Sequence, residues 1–187
     1  MILTWGRIAI APLFFLFFEL ADTHGALLLV GVWVTFLLIE LSDLLDGHFA
    51  RSRKEESDLG KVLDPFADSL SRLTYFVAFA GARILPVWIL LILIYRDVAV
   101  AYIRVIVSNS QVLMPARVSG KLKAWIYAFA GGGGIVVLSV RKLGLLLDYT
   151  PVIQGMAYLL FVLAALVALW SLADYAVFFM KNFRKSS

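Results

Sequence analysis

The sequence predicts an all-α integral membrane protein of six transmembrane helices, and three observations lead to that class. Hydrophobic residues make up 62% of the 187 positions and charged residues only 16%, with a mean hydropathy of +0.91. A soluble domain does not carry so apolar a composition. Long apolar stretches also recur along the chain with short polar breaks between them. A helix that crosses a bilayer needs roughly 20 mainly apolar residues, so this length holds about six spans and little else. Finally, Lys and Arg gather in alternate breaks, as they do in multi-pass chains. Residues 1–187 are expected to form one six-helix domain.

The first helix is expected over residues 2–20. Arg7 ahead of an apolar run resembles a secretory signal, but the polar stretch from Glu19 to His24 has no small-residue cleavage pattern. The segment therefore reads as a retained span. The following helices are expected at 26–45, 62–81, 85–107, 122–140 and 152–180, the last long enough to tilt or project from the membrane. Glycines 131–134 stand inside the fifth. Each weakens a helix in water by about 1 kcal/mol, yet small residues let membrane helices approach closely. A close helix crossing is the main reading of that run, and a groove for an acyl chain the alternative.

Orientation follows from the positive charges. Alternate segments carry Arg7; Arg51, Arg53, Lys54 and Lys61; Arg117, Lys121 and Lys123; and Lys181, Arg184 and Lys185, while the opposite side carries only Arg83, Arg141 and Lys142. Positive residues stay inside, so both termini are expected in the cytoplasm and the chain in the cell (inner) membrane. The formal charge of +4 suits anionic lipid head groups. The basic residues form no soluble patch, so nucleic acid is not expected as a partner. Cysteine is absent, which excludes disulfides, iron–sulfur clusters and thiolate zinc sites.

The chemistry-bearing stretch runs from Asp43 to Asp68. Asp43, Asp46, Gly47 and Ala50 stand at offsets of zero, three, four and seven, hence on one helix face. Gly60, Asp64 and Asp68, spaced by four, share another. A short charged loop over residues 51–59 lets the two helices run antiparallel, so four carboxylates converge at the cytoplasmic membrane boundary. Such a concentration of negative charge needs counter-ions. Mg²⁺ or Mn²⁺ suits oxygen donors that also meet substrate phosphates, and two ions about 4 Å apart can clamp a diphosphate. One carboxylate is left to act as general base, and Asp68, deepest along its helix, is the choice. Gly47 and Ala50 are small enough for a nucleotide to lie against the helix, and Arg51 offers a forked donor to phosphate.

The pattern Asp43-x2-Asp46-Gly47-x2-Ala50-Arg51-x8-Gly60-x3-Asp64-x3-Asp68 resembles the signature of the CDP-alcohol phosphotransferase (phosphatidyltransferase) family at every fixed position. The resemblance implies a six-span enzyme of phospholipid biosynthesis, with CDP-diacylglycerol as donor and two Mg²⁺ or Mn²⁺ ions. It makes Asp43, Asp46 and Asp64 metal ligands and Asp68 both ligand and proton acceptor. Gly47, Ala50, Arg51 and Gly60 fall in its CDP-lipid-binding part, and Ser57 matches a loop hydroxyl position beside the same substrate. A homodimer is implied as well.

The acceptor alcohol has to be read elsewhere. Arg96 and Arg104 lie eight apart on one side of the fourth helix, and Arg117, Lys121 and Lys123 follow near the start of the fifth. An arginine inside a membrane is costly unless it is paired or faces a polar cavity. Two readings stand: a pocket for a phosphorylated acceptor, or structural neutralisation by Asp97 or Asp68. The segment Arg96-Asp97…Arg104…Gly120-Lys121-Leu122-Lys123 resembles the phosphatidylglycerophosphate synthase branch of the family, which implies sn-glycerol 3-phosphate as the small phosphorylated alcohol. Ser69, Ala124 and Tyr127 depart from that branch, where Lys, Thr and Gln are common. Inositol phosphate, inositol and phosphatidylglycerol therefore stand as alternatives. A transporter would spread its charges through the bilayer and show internal symmetry, and neither feature is present. Asp22 and Asp174 read as solvated helix-end groups, His24 as a loop residue and His48 as a boundary residue.

Overall fold

The computed structural model describes the backbone of residues 2–50, 58–109 and 118–183, and the side chains of residues 4–44, 65–107 and 118–181. These residues form six long helices and no strand: α1 (Ile2–His24), α2 (Leu29–Ala50), α3 (Asp58–Gly81), α4 (Val87–Asn109), α5 (Val118–Leu143) and α6 (Thr150–Phe183). Every expected helix is present. Most run further than their apolar stretches, because backbone hydrogen bonding continues through polar residues until the chain supplies a stop. Thus α2 reaches Ala50, α3 begins at Asp58 rather than 62, and α5 begins at Val118 rather than 122. His24 is the last residue of α1 rather than part of a loop. Glycines supply two of the stops: Gly25 follows α1 with φ +127° and Gly144 follows α5 with φ +63°, values that a side chain disfavours.

Four helical segments are long and apolar enough to cross a membrane: Thr4–His24, Ala26–Leu44, Val118–Leu143 and Leu147–Lys181. The other two helices, α3 and α4, are equally long, but charged residues interrupt their apolar faces. Large apolar side chains stand outward around the bundle, among them Leu16, Leu37, Val77, Trp88, Trp125 and Leu159. Arg7, Arg72, Arg96, Asp97 and Lys123 are buried inside. Such an inverted arrangement suits hydrocarbon solvent and not water, so the chain is a multi-pass membrane protein.

The helices assemble as two groups of three. α1 packs on α2 and α3, and α6 packs on α4 and α5. The groups meet where α3 touches α4 and α5, and where α2 touches α5. Aromatic rings of α3 form the joint: Phe76 meets Tyr127 of α5 at 5.3 Å and Phe161 of α6 at 6.4 Å, while Tyr75 meets Phe36 of α2 at 5.7 Å within its own group. The glycine run of α5 lies against these rings. A Cβ at Gly131 would stand 2.7 Å from the Phe36 ring, and one at Gly134 would stand 2.5 Å from the Phe79 ring. The run is therefore a close helix crossing, and aromatic rings fill the space an acyl groove would need at those two positions.

Candidate active site

Asp43 on α2 and Asp68 on α3 are brought together by buried arginines. Arg72 Nη2 donates to Asp43 Oδ2 at 2.8 Å and to Glu40 Oε2 at 3.2 Å. Its Nε stands 3.2 Å from Asp68 Oδ1. Arg7 of α1 donates from Nη1 to Asp43 Oδ1 at 3.0 Å. The cause is helical spacing: Glu40 lies one turn before Asp43, and Arg72 one turn after Asp68, so all four share the inward faces. Tyr75 closes the network, its hydroxyl 3.4 Å from Glu40 Oε1 and 3.3 Å from the Tyr127 carbonyl oxygen.

These carboxylates are not equivalent. Asp43 and Asp68 keep 30% and 26% of their side-chain surface exposed, against 13% for Glu40 and 3% for Arg72. The two aspartates therefore face open space, while Glu40 anchors Arg72 from behind. Asp68 Oδ1 is buried and accepts no well-formed hydrogen bond, despite its closeness to Arg72. Hard carboxylate oxygens, two of them from different helices reaching one cationic position, are a donor set that suits a hard divalent ion.

A basic wall faces them from the other helical group. Asp97, almost fully buried, accepts from Arg96 Nη1 at 2.7 Å and from Lys123 Nζ at 2.9 Å. Arg96 Nη2 donates to Ser171 Oγ at 2.6 Å, and Arg104 Nη2 donates to the Tyr175 hydroxyl at 2.9 Å. Lys123 also sits 4.5 Å from the centre of the Tyr127 ring, which accounts for an aromatic residue at that position. Of the two sequence readings for Arg96, pairing with Asp97 is thus present in the structure. One carboxylate shared by two cations still leaves this cluster positive.

Both walls line one cavity of about 280 Å³, bounded by Asp43, Asp68, Arg96, Arg104, Lys121 and Lys123, with Ser69, Gly120 and Tyr175 between them. A larger cavity of about 520 Å³ lies at the opposite end of the bundle, among Arg83, Arg141, Gln154 and Tyr158. Among the described residues no carboxylate lines it.

The remaining expected site residues divide by what the structure describes. The backbone of α2 places Asp46 and Gly47 one turn beyond Asp43, and Ala50 two turns beyond it. The backbone of α3 places Asp64 one turn before Asp68 and Gly60 two turns before it. Their side chains, and all of Arg51, Ser57 and Arg117, lie outside the described residues. Among the described residues no group of three or more His, Asp or Glu could hold a metal ion; only two of the four motif aspartates are in that set.

One surface assignment is corrected, and Asp22, at the exposed end of α1 as expected, gains a partner. Asp174 is not merely solvated, because Ser119 Oγ donates to its Oδ2 at 2.7 Å. Asp22 pairs with Lys142 Nζ at 2.9 Å, tying α1 to α5. Sequence reasoning gave no site role to Glu40, Arg7, Arg72, Ser171 or Tyr175. For the first three, a charge inside an apolar helix was the available signal; Ser171 and Tyr175 carry none.

Comparison with known proteins agrees with this geometry. A family profile for CDP-alcohol phosphatidyltransferase matches residues 1–170. The chain is 28% identical over 151 residues to a CDP-diacylglycerol–glycerol-3-phosphate 3-phosphatidyltransferase of Treponema pallidum, covering 73% of this chain and 70% of the relative. A Bacillus subtilis protein of the same name is 26% identical over 137 residues, 68% of this chain and 71% of that one. A cardiolipin synthase (CMP-forming) of Streptomyces coelicolor is 39% identical over 98 residues, 51% of this chain and 45% of its own. With the profile spanning nearly the whole bundle and two of the motif aspartates, Asp43 and Asp68, lining one polar cavity, the chain belongs to the CDP-alcohol phosphatidyltransferase family and is an enzyme of that class.

Proposed function

We propose that the chain transfers the phosphatidyl group of CDP-diacylglycerol to sn-glycerol 3-phosphate, releasing CMP. The carrying observation is the single cavity that joins Asp43 and Asp68 to Arg96, Arg104, Lys121 and Lys123. An acceptor with a hydroxyl at one end and a phosphate at the other spans such a cavity. The relatives named for glycerol-3-phosphate transfer support the same acceptor.

In this reading the phosphate of the acceptor lies on the basic wall and its hydroxyl points to Asp68. Asp68 takes the hydroxyl proton, the oxygen bonds to the lipid-side phosphorus, and the bond from that phosphorus to the CMP oxygen breaks. Arg72 and Glu40 hold Asp43 and Asp68 in place from behind. Gly47, Ala50, Arg51, Ser57 and Gly60 would receive the cytidine diphosphate, as the motif implies. Asp43, Asp46, Asp64 and Asp68 would hold Mg²⁺ or Mn²⁺, which supplies charge neutralisation at the diphosphate. The reading also has α3 and α4 crossing the bilayer to make six spans. The site and both termini then face the cytoplasm, and a homodimer sits in the cell (inner) membrane. The positive charges at the motif end support the orientation, and the family resemblance supports the dimer.

The cardiolipin synthase relative favours a second acceptor, phosphatidylglycerol. CMP release by purified protein, with CDP-diacylglycerol and Mg²⁺ or Mn²⁺, separates the two. Release that requires glycerol 3-phosphate is expected. Release only with phosphatidylglycerol, inositol phosphate or inositol would overturn the acceptor, and no release with any acceptor would overturn the reaction.

A further inference from the structure

The basic wall is held by a residue that the motif does not contain. Tyr175 of α6 is 2% exposed and lines the cavity. Its ring lies 5.8 Å from the Arg96 guanidinium carbon and 5.4 Å from that of Arg104. Its hydroxyl accepts the 2.9 Å bond from Arg104 Nη2. A Cβ at Gly120 would come within 3.4 Å of the same hydroxyl, so the phenol also reaches the start of α5. One side chain of α6 thus touches both helices that carry the basic residues, α4 and α5. The family profile matches residues 1–170, so Tyr175 itself lies beyond the matched residues.

Resting on the acceptor reading above, we infer that Tyr175 is a specificity-determining positioning residue, which holds Arg96 and Arg104 in the headings that receive an acceptor's phosphate. Arginine is long and flexible, and a guanidinium that must be ordered on binding loses affinity in doing so. A flat ring against two guanidiniums, with a hydroxyl fixing one of them, supplies that order beforehand. Ser171, one turn earlier on α6, fixes the second Nη of Arg96. The effect should be selective. A phosphorylated acceptor depends on both forks, whereas the CDP-lipid is recognised on the carboxylate wall.

The test compares wild type with Tyr175→Phe and Tyr175→Ala, purified in detergent without phospholipid. Calorimetry with glycerol 3-phosphate, and separately with inorganic phosphate, reads acceptor-side binding without turnover. Tyr175→Phe is expected to weaken both ligands about threefold to tenfold, and Tyr175→Ala by more. Affinity for CDP-diacylglycerol should stay within about twofold and the melting temperature of Tyr175→Phe should be unchanged. Unchanged phosphate affinity in both variants would overturn the inference. So would equal weakening of the CDP-lipid and the phosphate ligands, since that marks general packing. CMP release by the wild type is measured beside it: binding that responds to Tyr175 without glycerol 3-phosphate-dependent release would overturn the acceptor chemistry and leave the phosphate-positioning role standing.

Discussion

The two helical groups solve the same electrostatic problem with opposite signs. In α1–α3, two buried arginines are set among Glu40, Asp43 and Asp68. In α4–α6, one buried aspartate is set between Arg96 and Lys123, with Arg104 and Lys121 beside it. Each group neutralises part of its own buried charge, as the low-dielectric interior demands. The residue left over is negative on one wall and positive on the other, and the cavity lies between them. On the proposed reading, the negative wall would hold the cations at the diphosphate and the positive wall would receive the acceptor's phosphate.

The sharpest way to break the comparison is to remove the proposed base. Asp68→Asn should lower turnover on the order of 10²- to 10⁴-fold with CDP-lipid binding largely kept, measured by CMP release and by calorimetry. Substantial activity in that variant would move the proton acceptor elsewhere. Next in size is the central cation of the acidic wall. Arg72→Met takes the arginine from Glu40 and Asp68, leaves Asp43 with Arg7 alone, and should cost about 3–5 kcal/mol. Glu40→Gln in the same chain should restore part of the lost melting temperature, and strict additivity of the two changes would deny the coupling.

On the basic wall the expected effect is smaller. Arg96→Ala should raise KM for glycerol 3-phosphate about tenfold, through lost phosphate contact or through release of Asp97, while KM for the CDP-lipid stays put. An unchanged acceptor KM would leave Arg96 as a structural partner of Asp97 only. The smallest change concerns the joint between the groups. Gly134→Ala pushes a methyl group against the Phe79 ring and should destabilise by about 1–3 kcal/mol. Gly132→Ala, whose Cβ would meet nothing nearer than 4.0 Å, should be close to neutral in a detergent melt. Equal effects at both positions would show that helix propensity, not the crossing, controls this run.

Several of these features were legible without coordinates. Composition and apolar periodicity determined the class and the six helices, because hydrocarbon solvent rewards long apolar segments one at a time. Spacing alone put Asp43 with Asp46, and Asp64 with Asp68, since positions three or four apart share a helix face whatever the fold. The glycine run announced a close crossing. The family signature carried the reaction class.

What only the tertiary structure decided is who faces whom. Glu40 and Arg72 stand 32 residues apart, Arg104 and Tyr175 stand 71 apart, and Ser119 and Asp174 stand 55 apart. No periodicity links such pairs. Asp174 reads in sequence as a solvated helix end, yet it lies inside α6 (Thr150–Phe183) under Ser119 of α5, because sequence does not tell whether a neighbouring helix covers a polar position. Local spacing is fixed by the backbone hydrogen bonds of each helix, whereas pairing across helices depends on their packing and rotation about their own axes. That rotation is what turned two faces of opposite charge toward one cavity.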